Sequence, residues 1–150
     1  MIRQATTGDI PRMLELGRVM HAESRYSVHA WNDAKVHALI VQLIESEDGL
    51  ALVAEHDGEI VGGFIGYVGE HYFTDVLVAS DYALFVGMSH RGAMAGKRLI
   101  GAYVEWAKSR GAAMIQIGIT TGVAVDASSR LVESCGFRNV GNLFEMEKAA

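Results

Sequence analysis

Met88-Ser89-His90-Arg91-Gly92-Ala93-Met94-Ala95-Gly96-Lys97 joins a β-prone run to a helical pattern through small residues. It follows a β-prone run that ends in Tyr82-Ala83-Leu84-Phe85-Val86. It leads into Leu99, Tyr103, Trp106 and Ala107, which share one face at helical spacing. The expected unit is a strand, a turn of small residues, and a helix. Small side chains at Gly92, Ala93, Ala95 and Gly96 let backbone N–H groups face outward and a bulky anion come close. The helix N-terminus adds free N–H donors and a partial positive charge. Arg91, Lys97 and Arg98 add cationic character, and a diphosphate is the natural guest. The stretch is not a Walker loop, because Gly96-Lys97 is followed by Arg98 and not by Ser or Thr. It lacks the Gly-x-Gly-x-x-Gly of a dinucleotide fold, and no strand-turn-helix of that kind opens the chain.

Towards the N-terminus, residues 2–6 read as a short strand. Asp9 is placed to cap a helix, with Pro11 in its first turn and Ile10, Met13, Leu14 and Gly17 at helical spacing. Residues 21–32 are polar and aromatic without a period, and read as a loop. A second helix starts at Asp33, with Val36, Leu39, Ile40, Leu43 and Ile44 on one face, and stops near Asp48-Gly49. Two strands, residues 50–55 and 60–68, flank a hairpin turn at Asp57-Gly58. Glycines 62, 63 and 66 signal a bulge or a close backbone approach in the second of them. A long β-prone stretch covers residues 74–87, with a break expected at Ser80-Asp81.

Towards the C-terminus, Gly111 closes the helix that follows the small-residue turn. Residues 113–120 read as a buried strand and residues 126–134 as a fourth helix closed by Gly136. Residues 137–140 and 143–147 read as two final strands. The order β-α-α-β-β-β-α-β-α-β-β predicts an α/β domain with a mixed sheet of about seven strands and four helices.

The 150 residues fit one domain, 1–150, which buries roughly 70% of its unfolded surface without staples. Half the residues are hydrophobic and one is proline, which excludes a disordered chain. The single cysteine, Cys135, excludes an internal disulfide framework and suits a reducing compartment. The N-terminus lacks the apolar core of a signal peptide, and no apolar run reaches the ~18 residues of a membrane span, so the cytoplasm is expected. A net charge of −5 disfavours nucleic acid as a partner and suits an amine. The six histidines have no partner at zinc spacing, so no metal is expected.

Arg91, Gly92 and Gly96 resemble the acyl-CoA-binding motif of the GNAT superfamily of N-acetyltransferases, Arg/Gln-x-x-Gly-x-Gly/Ala, with Met94 where glycine is usual. The variant Arg-Gly-x-x-Ala-Gly looks like small members encoded by phages and prophages. Residues 2–6 with Asp9-Ile10 resemble the family's opening, and Cys135-Gly136-Phe137 its fourth helix end. The resemblance implies a single GNAT-like domain with a mixed, mostly antiparallel sheet. It implies acetyl-CoA as cosubstrate, no metal, a primary amine of a small molecule or protein as acceptor, and a candidate homodimer, since many relatives are dimers.

By position, backbone groups of Phe85 and Val86 would bond the pantetheine, and those of Arg91, Gly92, Ala93, Met94, Ala95, Gly96 and Lys97 the pyrophosphate. The amine would attack the thioester directly, with protein groups positioning it and bonding the oxyanion. Asp81 is the candidate general base, with Glu70, His71 and Asp75 just before it. The tyrosine that many relatives use as acid falls on Val132, so no proton donor stands out. Tyr26, His29 and Trp31 lie in the region that shapes the acceptor site in the family. Two other readings stay open. One is a silent GNAT-fold binder of acyl-CoA, the other a phage structural or interaction protein that keeps only the fold.

Overall fold

The computed structural model describes residues 1–91 and 94–148. The chain runs β1 (Ile2–Gln4), α1 (Ile10–Glu23), α2 (Asp33–Glu45), β2 (Gly49–His56), β3 (Glu59–Glu70), β4 (Leu77–Val86), α3 (Ala95–Ser109), β5 (Met114–Ile115) and α4 (Val125–Ser134). The strands lie in the order β1-β2-β3-β4-β5. The first four are antiparallel, and β5 joins β4 in parallel. A parallel strand needs a crossover, and α3 supplies it.

The sheet has a core on each face. Ile10, Met13 and Leu14 of α1 and Ile40 and Leu43 of α2 meet Ala51, Val53, Ile65 and Phe85. On the other face Leu99, Tyr103 and Ala107 of α3 meet Leu52, Phe64 and Ala79. Leu99, Tyr103 and Ala107 recur every four residues, so one stripe of α3 is buried. Each fully buried large side chain of this kind contributes about 1.5–3 kcal/mol. The Tyr103 ring stacks on Phe64, with centroids 4.4 Å apart.

The β2–β3 turn places Asp57 at φ 51° and Gly58 at φ 80°, the left-handed pair that a tight hairpin requires. The glycines of β3 mark close approaches. A Cβ on Gly63 would lie 2.6 Å from the Phe85 ring, and one on Gly66 would lie 2.6 Å from the Ser80 carbonyl oxygen. Opposite these glycines Ile65 pairs with Ala83 and Gly66 with Asp81, so Tyr82 is an extra residue of β4; the strand runs unbroken through Ser80-Asp81, where a break was expected, and absorbs the irregularity as this bulge.

Several expectations need correction. Among the described residues the sheet has five strands, not about seven. Residues 137–148 carry strand-like apolar spacing, yet Val140, Leu143, Phe144 and Met146 are exposed and the segment joins no ladder. Propensity makes a strand only where an edge offers a ladder. The expected strand 113–120 pairs over Met114–Ile115 alone, and the N–H of Gly118 donates to the Asp81 carboxylate instead of to a neighbouring strand. The expected loop 21–32 is shorter, because α1 continues to Glu23 and residues Arg25–Val28 form a 3-10 turn. Asp9 makes no cap bond to α1. Its carboxylate turns back to Arg3 and to the Thr6 N–H, at 2.7 Å each.

Candidate active site

The site is built where β4 and β5 part. Their ladder runs through Val78–Met114 and Ala79–Ile115, and the Gln116 N–H then donates to the Ala79 carbonyl at 2.9 Å. Beyond that point β5 leaves. Among the described residues, β4 from Ala83 to Val86 pairs with β3 on one side and has no ladder partner on the other. That side is an edge which an extended amide chain can join by backbone hydrogen bonds. Phe85 is buried beneath α1 and α2, and Val86 lies against the α3 core.

Asp81 sits at the parting. One of its carboxylate oxygens accepts the Gly118 N–H at 2.9 Å. Burial pushes its carboxyl above the usual carboxylate range, and the Gly118 bond opposes that rise in part. Behind it the Tyr103 hydroxyl donates to the Gln116 carbonyl at 2.7 Å. Burial, and next the Asp81 charge, push the Tyr103 hydroxyl up, so it stays a neutral donor. Asp81 therefore stands in a partly dry pocket with the Gly118 N–H as a fixed donor, a setting that makes the carboxylate a better proton acceptor than a solvated one.

Asp81 lines a cleft of about 1170 Å³ together with Ser80, Arg25, residues 116–120, Val132 and the segment after α4. Val132, where the resemblance expects a tyrosine, is 9% exposed, a buried aliphatic side chain at the cleft wall. Cys135 also lines the cleft as a half-buried free thiol. Among the described residues, no group of three His, Cys, Asp or Glu is placed to hold a metal ion. No helix among them is long and apolar enough to cross a membrane.

The turn before α3 lies at the far end of β4. Gly92 and Ala93 fall outside the described residues. Met94 precedes α3 and is exposed, and among the described residues no side chain caps the helix, whose first N–H groups are the kind that bind an anion. Gly96 is buried, and a Cβ there would lie 3.3 Å from Leu131, so this glycine also lets α4 approach α3. Lys97 is exposed. Arg91 points elsewhere: both its terminal nitrogens donate to the Glu23 carboxylate at 2.7 Å, and its Nε donates to the Val86 carbonyl.

The three acceptor-side residues separate. The Tyr26 hydroxyl donates to the Thr120 side chain at 2.9 Å, at the rim of the cleft. His29 is exposed, and only its backbone bond to Tyr26 is seen. Trp31 packs edge-on against His21 and over Gly17, and its Nε1 donates to Asp33. The structure thus places Asp81 in the cleft, sets Tyr26 beside it on Thr120 of the lining, and turns Trp31 towards α1. Sequence reasoning missed Glu23, Arg25, Gly118 and Thr120. Gly118 alone left a signal, as a glycine inside an apolar β-branched run.

Residues 16–137 match the Acetyltransferase (GNAT) family. No curated protein matches the chain. Among solved structures, a transcriptional regulator from Bacillus halodurans C-125 superposes with a TM-score of 0.79 at 23% identity, covering 99% of both chains. The aminoglycoside antibiotic 6'-N-acetyltransferase AAC(6')-IG from Acinetobacter haemolyticus gives 0.76 at 18% identity, over 100% of this chain and 99% of that one. AAC(6')-Iy in complex with the bisubstrate analog CoA-S-monomethyl-acetylneamine gives 0.79 at 18% identity, over 100% and 98%. At these identities the likeness is one of fold.

Proposed function

The chain belongs to the GNAT acetyltransferase family, and from that premise we propose that it transfers an acetyl group from acetyl-CoA directly to a primary amine. The observation that carries the reading is the parting of β4 and β5 with Asp81 at its base. A similar fold holding a CoA bisubstrate analog supports it.

Acetyl-CoA supplies the thioester that the amine attacks. The free edge of β4 at Phe85 and Val86 binds the pantetheine arm, and the open N–H groups at the start of α3 take the pyrophosphate. Asp81, with its raised pKa, accepts the proton of the incoming ammonium. Tyr26 and Thr120 border the acceptor's path. Val132 offers no proton to the departing thiolate, which leaves adequately with a model thiol pKa of about 8.5.

The test is calorimetric titration of acetyl-CoA into the wild type, Gly96→Ala and Gly96→Glu, followed by a thiol-release assay over a panel of amines. Gly96→Ala isolates the contact with Leu131, and Gly96→Glu adds a negative charge. Micromolar binding by the wild type, kept largely in Gly96→Ala and lost in Gly96→Glu, supports the cofactor reading. No binding by the wild type refutes it. Binding without turnover on any amine favours the silent binder, to which the aliphatic Val132 also points.

A further inference from the structure

Four consecutive residues at the end of α1 touch both halves of the site. Glu23 takes both terminal nitrogens of Arg91 at 2.7 Å, and Arg91 also caps the Val86 carbonyl at the end of β4. The Ser24 side chain is buried, donates to the His21 carbonyl at 2.9 Å, and accepts the Tyr26 N–H at 3.2 Å. The Arg25 N–H donates to the Thr121 carbonyl at 2.8 Å, and its guanidinium bonds the Thr120 carbonyl and Glu145. Tyr26 closes the set on the Thr120 hydroxyl and stacks under Arg25, whose guanidinium carbon lies 4.4 Å from the ring centre.

A bidentate guanidinium–carboxylate pair is geometrically selective and holds both planes in register. Here it joins the turn that precedes α3 to the last turn of α1. The rigid Ser24 turn carries that constraint to the rim of the cleft. We propose that Glu23 is a positioning residue: by clamping Arg91 it couples acetyl-CoA binding at the start of α3 (residues 94–97) to the order of the acceptor rim at residues 24–29 and 119–122. This rests on the acetyl-CoA reading above. The contrasting role for Glu23 is a competing anion that withholds Arg91 from the pyrophosphate, and the two roles predict opposite signs. The Arg91 guanidinium holds the Glu23 carboxyl below its usual range, so the pair stays charged across neutral pH.

The experiment combines calorimetry with hydrogen exchange, on wild type and Glu23→Gln, with and without saturating acetyl-CoA. In the wild type, acetyl-CoA slows amide exchange at residues 24–29 and 119–122. Glu23→Gln binds acetyl-CoA about fivefold more weakly, the lower end of ordinary coupling between sites. At saturation it no longer protects those segments. The double variant Glu23→Gln/Arg91→Gln binds no worse than Arg91→Gln alone, because the clamp is already gone. Glu23→Asp, which keeps the charge and shortens the reach, serves if Glu23→Gln fails to fold, and it gives the same loss of protection. Tighter binding by Glu23→Gln, or equal protection in both proteins, overturns the coupling. A wild type that binds acetyl-CoA without protecting the rim overturns the coupling alone. A wild type that does not bind overturns the cofactor reading, and the coupling with it.

Discussion

Tyr103→Phe tests how the parting of β4 and β5 is held. The ring is fully buried on Phe64, and Phe preserves that packing. Only the hydroxyl is lost, and with it the 2.7 Å bond to the Gln116 carbonyl. A net hydrogen bond is worth about 1 kcal/mol, and an orphaned carbonyl raises the cost towards 3 kcal/mol. Gln116 itself is exposed at the cleft, so water can satisfy its carbonyl in part. The expected loss is therefore about 1–2 kcal/mol. For a chain of this length that lowers the melting temperature by roughly 2–8 °C. Urea unfolding should show a lower midpoint at an unchanged slope, since the surface exposed on unfolding is the same. Amide exchange at Gly118 should also quicken, because the Gln116 carbonyl anchors the strand that presents it. A variant as stable as wild type within about 0.3 kcal/mol would refute the claim that this bond pins β5. A loss above about 4 kcal/mol would show that the packing, not the hydroxyl, was being measured.

Asp81→Asn separates a strained carboxylate from a surface one. Because burial raises the folded-state pKa, wild type loses stability as pH climbs above the unfolded value of 3.8 and through the folded one. The Asn variant escapes that loss, so its stability relative to wild type should be greater at pH 8 than at pH 3 in paired urea melts; on the proposed function its amine acetylation also falls. A relative stability that does not change with pH would show the carboxylate to be solvated. Ala124 precedes α4 at φ 46°, a backbone region costly for an L-residue. Ala124→Gly should raise stability by roughly 0.5–1 kcal/mol in thermal unfolding, and a drop would mean the site is not strained.

The elements with strong internal signals were legible. Asp57-Gly58 announced its hairpin, because only left-handed residues make that turn. Leu99, Tyr103 and Ala107 announced the buried stripe of α3, because a helix facing a sheet must repeat every three or four residues. The glycines of β3 announced a close approach, and the bulge at Tyr82 lies opposite them. The segment after α4 misled, because Val140, Leu143 and Phe144 carry propensity without a strand partner, and pairing is a property of two segments. The site was legible only where backbone dictated it. Asp81 was legible as a carboxylate in a β-prone stretch, but its place mid-strand in β4 and its bond to Gly118, far away in the chain, were not. The Glu23–Arg91 clamp left no local pattern, since nothing near either residue depends on the other until the fold brings them together.

The strand order matches the chain order, and this bears on how the molecule assembles. The β2–β3 hairpin closes over Asp57-Gly58, so it costs least in loop entropy and can form within microseconds. β4 returns after residues 71–76 and can zip onto it next. β5 must await α3 and then gains just two ladder pairs, Val78–Met114 and Ala79–Ile115. It belongs to the last cooperative unit to form and the first to open, so sub-global opening at the parallel seam leaves the β1–β4 meander standing. In native-state exchange, Gln116 should therefore open well below the global unfolding free energy, while Val53 and Phe64 exchange only through global unfolding.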